Sequence, residues 1–307
     1  MPAGTSRARA CGGDCAVSPL PSDFVRRIVR LHGEAGRAWL GRLPEILAQV
    51  QHRWRLRTLS TLEPLHYSFV AFATLEDGTD AIVKAALPGT SQSNEAEALR
   101  LFSGNGAVRL LDADLSLGAL LLERLVPGTT LAEVDDDNEA TRAAAGMIRR
   151  LHLPAPAAHS FHTVAERASD LDGLRRRFGG LTGPFPVDLV ERAEARFTHL
   201  LATSGPPVLL HGDLHHHNIL RAERAPWLAI DPKGVVGEAA YEAAAFLCNP
   251  MPALLDWPDL TEILLRRILL LAELTGCDPE RMLAWAAAHS VLAAWSDYED
   301  HQPDWEA

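Results

Sequence analysis

The stretch His211-Gly212-Asp213-Leu214-His215-His216-His217-Asn218, with Ile230-Asp231-Pro232 behind it, decides how the rest of this chain is read. Asp231 lies 13 residues beyond Asn218, at the end of a Trp-Leu-Ala-Ile run that reads as a strand. The pattern is H-x-D-L-x-x-x-N followed by a second Asp, and its chemistry is phosphoryl transfer. Such a reaction needs one carboxylate to orient the attacking hydroxyl and accept its proton. It also needs an amide oxygen and a second carboxylate to hold Mg²⁺ on the nucleotide phosphates. Asp213 suits the first role, Asn218 and Asp231 the others. A loop between flanking strands would hold all three at one edge of a nucleotide cleft.

A second part of that chemistry is expected upstream. Ala81-Ile82-Val83-Lys84 reads as a strand ending in the lysine that grips the α/β-phosphates. Only two lysines occur, Lys84 and Lys233, among 29 basic residues, so a compact ammonium stands where a point charge suits better than a planar fork. On the following helix Glu95 is the natural partner of Lys84, with Glu97 as the rival. Around this strand, 53–59, 66–75 and 79–85 read as three strands, the last two joined by an Asp77-Gly78 turn. A helix over 93–102 and strands near 108–112 and 118–123 complete a small α+β lobe. Ahead of it, helices begin at Ser22 and at Ala38, with Ser22 and Pro44 as first-turn residues.

Beyond a hinge at Pro127–Thr130 the pattern turns helical: 136–152, 162–178, 187–203, 238–248, 259–275 and 279–297. Short strands are expected at 207–211, 218–221 and 227–231. The division is therefore a flexible tail over 1–20, the N-terminal helices and nucleotide-binding small lobe over 21–124, and a helical large lobe over 125–307. That lobe would carry the catalytic loop and the acceptor site.

Composition bounds the partners. In 307 residues, 47 % are hydrophobic and 22 % charged, enough for a sizeable core. Forty acids against 29 bases give a net charge of −11, which disfavours a nucleic-acid partner. After Asp231, 13 acids face four bases (Lys233, Arg266, Arg267, Arg281), so a pocket there would attract cations; a solvated acidic surface is the plainer alternative. No apolar run reaches the length of a membrane span and no secretory leader is visible, so a soluble cytoplasmic protein is expected. Cys11, Cys15, Cys248 and Cys277 form neither a disulfide framework nor a zinc-type set.

Further stretches carry a resemblance: Ala38-Trp39-Leu40 through Leu43-Pro44, Arg53-Trp54, Leu121-Leu122-Glu123-Arg124, and Trp227 through Gly234 with Gly237-Glu238. Asp278-Pro279-Glu280-Arg281 and Ala293-Ala294-Trp295 extend it towards the C-terminus. Together with the loop at 211–218 they resemble the aminoglycoside phosphotransferase family, and within it the streptomycin 6-kinase and hydroxyurea kinase group. The family's fold is similar to that of eukaryotic protein kinases: bilobal α+β, with a small, mainly antiparallel β lobe carrying one helix and a larger helical lobe. The resemblance implies ATP-dependent phosphorylation of a hydroxyl on a cationic antibiotic, streptomycin at its 6-hydroxyl first of all. MgATP would lie between the lobes. Asp213 would be the catalytic base, Asn218 and Asp231 the Mg²⁺ ligands, and Lys84 with Glu95 the phosphate-positioning pair. The segment from Glu123 through Leu125 to Val126 would meet adenine through backbone groups.

Departures from protein kinases narrow the reading. Gly212 stands where Arg precedes the catalytic Asp, Pro232 replaces the aromatic of D-F-G, and no A-P-E follows, so neither a protein substrate nor activation-loop control is expected. The first hairpin has no glycine from Pro64 to Phe69, which leaves phosphate capping to backbone N–H groups and Ser68. Glu242 stands where many relatives carry Asp, and its longer side chain would reshape the acceptor pocket. For guanidinium-bearing acceptors, carboxylate partners are expected among Glu238, Glu242, Asp256, Asp259, Asp297, Glu299 and Asp300. His215, His216 and His217 cannot all face one ion, and His211 reads as a brace for the loop. The chain is expected to act as a monomer or weak dimer on a small cationic antibiotic. The alternatives are a kinase of another small hydroxyl compound (hydroxyurea, another antibiotic, a metabolite) and, outside enzymes, a nucleotide-binding pseudokinase scaffold.

Overall fold

The computed structural model describes residues 20–301. The expected tail, with Cys11 and Cys15, thus lies outside the described residues apart from Leu20. Two compact units emerge: 20–96 with 109–124, and 97–108 with 125–301. Residues 97–108, read from the sequence as part of the small lobe, group with the second unit.

In the first unit, α1 (Ser22–Arg53) buries Phe24, Ile28, Trp39, Leu43, Ile46, Leu47 and Val50 at helical spacing. Gly33 interrupts it with φ 55° and ψ −130°, a conformation open to glycine and costly to any residue with a Cβ. The helix resumes directly after that break rather than at Ala38, so Pro44 lies inside its second half and not in a first turn. An antiparallel sheet follows, ordered β1 (Leu56–Thr61), β2 (Phe69–Leu75), β3 (Asp80–Ala85), β5 (Ala119–Glu123), β4 (Leu110–Asp114). In the β2–β3 hairpin the Asp77 carboxylate accepts the Thr79 N–H at 2.8 Å. Ala71, Ala73, Ala81, Val83, Ala85, Ala119 and Leu121 face Trp39, Leu43 and Val50 of α1 in one core. Burying each Leu, Ile or Val of this kind is worth about 1.5–3 kcal/mol. Strand alternation therefore turns Lys84 away from that core. Its neighbours in register are Val70 on β2 and Leu120 on β5.

Helix α2 (Thr90–Phe102) carries the chain from the first unit into the second. There β6 (Pro127–Thr130), the segment read from the sequence as a hinge, follows the unit boundary at 124/125 and pairs antiparallel with β10 (Ile219–Ala222). With β11 (Leu228–Ala229) they form one small sheet. A second is ordered β7 (Leu153–Pro154), β9 (Val208–Leu210), β12 (Val235–Gly237), β8 (His162–Thr163). The helices are α3 (Asp137–Leu151), α4 (Val164–Ala168), α5 (Asp170–Arg177), α6 (Val187–Ala202), α7 (Ala243–Leu247), α8 (Leu260–Thr275) and α9 (Pro279–His301). The single helix expected over 162–178 is broken. His162 and Thr163 pair with β12, and the Thr163 hydroxyl then caps α4 by accepting the Glu166 N–H at 3.1 Å.

A buried charge ties the helices together. Arg267 on α8 is fully buried and binds Asp137 Oδ1 through Nε and Nη2 at 2.9 and 2.6 Å. Its Nη1 donates to the Asn249 carbonyl at 2.7 Å, and its guanidinium lies over the rings of Phe246 and Trp257. Trp285 and Trp295 are core residues.

Candidate active site

The loop 211–218 leaves β9 and enters β10, and its shape is held by hydrogen bonds from below. Glu242, on a short 3-10 turn (Ala239–Glu242) ahead of α7, is fully buried, and its two carboxylate oxygens accept the backbone N–H groups of His211 and Gly212 at 2.6 and 2.9 Å. Burial pushes its carboxyl up to about 7, against the pull of those two bonds and of Arg167 and with the push of Asp213. His211 is also fully buried. Its Nδ1 accepts the Asp213 N–H at 3.2 Å, which assigns the proton to Nε2, and that atom donates to the Ile230 carbonyl at 2.8 Å. Burial pushes this imidazole down to about 4, so it stays neutral and structural. Gly212 has φ 81°, and a Cβ there would stand 2.5 Å from Val235 Cγ2, which is why no arginine precedes Asp213. The Gly212 carbonyl accepts from Arg167 Nη1 at 3.3 Å.

Above that brace the three motif residues come together. Asn218 Nδ2 donates to the Asp213 carbonyl at 2.9 Å and reaches Asp213 Oδ2 at 3.5 Å, which leaves Oδ1 outside these bonds. Asp213 and Asp231 each expose about a third of their side chains. Asp231 sits at φ 58°, a left-handed conformation uncommon for a residue with a side chain and frequent at functional sites. Lys233 Nζ stands 2.8 Å from Asp231 Oδ2 and 3.8 Å from Asp213 Oδ2. One amide oxygen and one carboxylate are the hard donors that Mg²⁺ takes alongside waters and substrate phosphates, so the residues present fit that ion.

The three histidines divide. His216 is buried and stacked on Phe246 with ring centres 4.2 Å apart, His217 is exposed, and His215 lies near Asp213, its Nε2 3.7 Å from Oδ1. Among the described residues no group of three or more His, Cys, Asp or Glu is arranged to hold a metal.

In the first unit, Lys84 Nζ pairs with Glu95 Oε2 at 2.7 Å, with 13 % and 5 % of the two side chains exposed. Glu97 instead meets Arg100 at 3.6 Å on the helix surface. Ser68 is half-buried on the loop between β1 and β2, which α1 contacts: Arg27 Nη1 is 2.9 Å from His66 Nδ1 and its guanidinium lies over Tyr67. The Glu123 carboxylate accepts the Arg109 N–H at 3.0 Å, and the Glu123 N–H donates to the Arg109 carbonyl at 2.9 Å, so both groups are engaged within the sheet. In the second unit Leu125 is half-buried.

Two of the expected acceptor carboxylates are built into the fold. Glu242 is sealed under the 211–218 loop. Glu238 is held by Arg281 through Nε and Nη2 and by Trp285 Nε1 at 2.9 Å. Both are corrected from substrate ligands to internal braces, because their oxygens already carry hydrogen bonds in buried surroundings. Asp256 and Asp297 are exposed and Asp300 is half-buried. A cavity of about 480 Å³ beside β6 and the start of α3 is lined by Glu133, Asp135, Asp136, Glu139 and Arg221, and none of the expected site residues lines it. Arg167 and the Tyr241–His289 pair, joined at 3.0 Å, were not singled out in the sequence. No motif marks them, since Arg167 meets the Gly212 carbonyl and Tyr241 meets His289 only through three-dimensional contacts.

The comparisons with known proteins agree with this geometry. A family model described as aminoglycoside/hydroxyurea antibiotic resistance kinase matches residues 53–300. The chain is 32 % identical to a streptomycin 6-kinase of Streptomyces glaucescens, over 92 % of this chain and 91 % of that one. It is 33 % identical to a hydroxyurea phosphotransferase of Kitasatospora aureofaciens, over 93 % and 82 %. Among solved structures it shares its fold with an aminoglycoside phosphotransferase in ternary complex with ADP and hygromycin B. That likeness has a TM-score of 0.56 at 14 % identity, over 82 % of this chain and 95 % of that one. With a protein-kinase-like α+β fold, an H-x-D-L-x-x-x-N loop braced from below and a match over most of its length, this chain is a phosphotransferase and belongs to the aminoglycoside/hydroxyurea antibiotic resistance kinase family.

Proposed function

We propose that this chain transfers the γ-phosphoryl group of ATP to a hydroxyl of a cationic aminoglycoside, streptomycin at its 6-hydroxyl. The observation that carries the reading is that Asp213 and Asn218 of the braced loop stand with Asp231, which follows β11, around the one ammonium of Lys233. The acceptor follows from the likeness to streptomycin 6-kinases. The Asp213 carboxylate orients the acceptor hydroxyl and takes its proton as the oxygen attacks. Asn218 Oδ1 and Asp231 would hold Mg²⁺, which when bound neutralises charge on the phosphate oxygens. Lys84, kept in place by Glu95, grips the α/β-phosphates, with Ser68 and neighbouring backbone N–H groups capping them. Backbone groups at Glu123 and Leu125 take the adenine edge. Asp256, Asp297 and Asp300 remain as the carboxylates that would meet guanidinium groups. A second reading, phosphorylation of hydroxyurea, is favoured by the 33 % identical hydroxyurea phosphotransferase.

ADP release from MgATP tests both. Streptomycin, 2-deoxystreptamine aminoglycosides and hydroxyurea serve as acceptors, with Asp213→Asn as the blank. Release with streptomycin that the variant loses is expected. Release with hydroxyurea alone would select the second reading, and ATP binding without release to any acceptor would remove both.

A further inference from the structure

Lys233 has no assigned part in the reaction, yet it stands where the chemistry must happen. Its Nζ lies 2.8 Å from Asp231 Oδ2 and 3.8 Å from Asp213 Oδ2. A phosphoryl group in transit has to be next to the acceptor oxygen on Asp213 and on the phosphate side governed by Asp231. The ammonium is therefore in the same gap. Its stem is tied to the catalytic loop: the Lys233 and Gly234 N–H groups donate to the His211 carbonyl at 2.8 and 3.2 Å. Because the buried Glu242 fixes that same residue from the other side, Lys233 and Asp213 are positioned by one piece of backbone. A third of the Lys233 side chain is exposed, as is a third of Asp213, so both are open to substrate. The residue type fits as well. In a chain that uses arginine almost everywhere, lysine occurs here and at Lys84. A compact ammonium with three rotatable donors suits oxygens whose positions change during transfer.

We propose that Lys233 is a further catalytic residue, whose ammonium binds the oxygens of the phosphoryl group as it passes from ATP to the acceptor. The proposal rests on the phosphotransfer reading above. In the step, the bond between the γ-phosphorus and the bridging oxygen breaks and its electron pair stays on ADP. A bond to the acceptor oxygen forms, and the acceptor proton goes to Asp213. Lys233 keeps its protons throughout and supplies charge to the group in flight.

The test compares wild type, Lys233→Met and Lys233→Arg in three measurements: thermal unfolding, MgADP affinity by calorimetry, and trapping of MgADP with aluminium fluoride. The planar fluoride complex mimics the phosphoryl group in transit and needs no acceptor. The expected result is that Lys233→Met folds and binds MgADP within about threefold of wild type. It loses trapping, and kcat with whichever acceptor is turned over, by about 10²–10³-fold, the usual loss on removing one transition-state donor. Lys233→Arg recovers part of both. Equal trapping by wild type and Lys233→Met would overturn the proposal. So would MgADP affinity falling in parallel with kcat, which would make Lys233 a prop for Asp231, and so would a wild type that traps nothing. Trapping that behaves as expected beside a failure to phosphorylate streptomycin would remove the acceptor reading and leave this one standing.

Discussion

The loop at 211–218 and the acidic stretch from Glu238 to Asp300 are both rich in groups that could do chemistry, and they are built differently. In the loop, Asp213 is left a third exposed while the residues around it take up the bonding: His211, Gly212 and Asn218 are all buried and hydrogen-bonded. In the acidic stretch the order is reversed. Glu238 and Glu242, nearest the loop in sequence, are consumed by Arg281, Trp285 and two backbone N–H groups. Only carboxylates further along, such as Asp256 and Asp297, are exposed. The lesson is that a carboxylate stays accessible only where neighbouring groups satisfy the surrounding backbone and leave it open. Where the carboxylate itself does the satisfying, it is part of the frame.

The largest effect should come from the exposed member of that comparison. Asp213→Asn is expected to lower kcat by about 10²–10⁴, the range for losing a general base, with little change in Tm. Turnover within tenfold of wild type would move the base elsewhere. Next is the sealed carboxylate. In Glu242→Gln an amide NH₂ must face one of the two backbone N–H groups, which costs about 1–3 kcal/mol in unfolding free energy. The pH dependence has a defined sign. The folded chain raises this carboxyl from 4.5 to about 7, so it holds the proton more tightly than the unfolded chain does. That contribution to stability is complete below the unfolded value and is lost as pH rises towards 7, about 3 kcal/mol in all. Urea titrations of wild type and Glu242→Gln between pH 4.5 and 7.5 should therefore show a falling difference. Parallel pH slopes would mean that Glu242 is not the buried titrating group.

Glu238→Gln separates frame from site in the opposite way. It removes the charge from the pair with Arg281, whose side chain is 23 % exposed, so a cost of about 1 kcal/mol is expected, with acceptor KM unchanged. A tenfold rise in that KM would return Glu238 to the acceptor wall. The smallest effects belong to the outer carboxylates. Asp297→Asn and Asp300→Asn should each raise acceptor KM about two- to fivefold at low salt, and less at high salt, as expected of single, partly solvated ion pairs. No change in either would send the search for the cation-binding groups to other acids.

How much of this was legible in the sequence depends on the kind of residue. The nearness of Asn218 to Asp213 and the pairing of Lys84 with Glu95 were legible because the proposed reaction calls for those residue types together. Glu97 stayed a rival to Glu95 until the helix phase placed it on Arg100 instead. The β-hairpin at Asp77-Gly78 was readable because its turn chemistry is local. What could not be read is what depends on three-dimensional partners. Glu238 and Glu242 look like any acids until Arg281 and the backbone of His211 and Gly212 are brought to them. Arg267 looks like a surface base until Asp137, 130 residues away, is placed against it. The β12 strand at Val235–Gly237 is three residues long and exists because β9 and β8 flank it, a pairing no periodicity reveals. The helix expected over 162–178 failed for the same reason, since its first two residues are pulled into that sheet.

The most direct measurement is the structure of the product formed when the purified chain meets streptomycin and MgATP. Mass spectrometry would count phosphoryl groups, and phosphorus–proton couplings would locate them. One phosphoryl group on the 6-oxygen, absent from the Asp213→Asn reaction, is the expected result. Unmodified streptomycin under conditions where the chain binds MgATP would contradict the proposed substrate, and a phosphorylated product formed equally well by Asp213→Asn would contradict the mechanism.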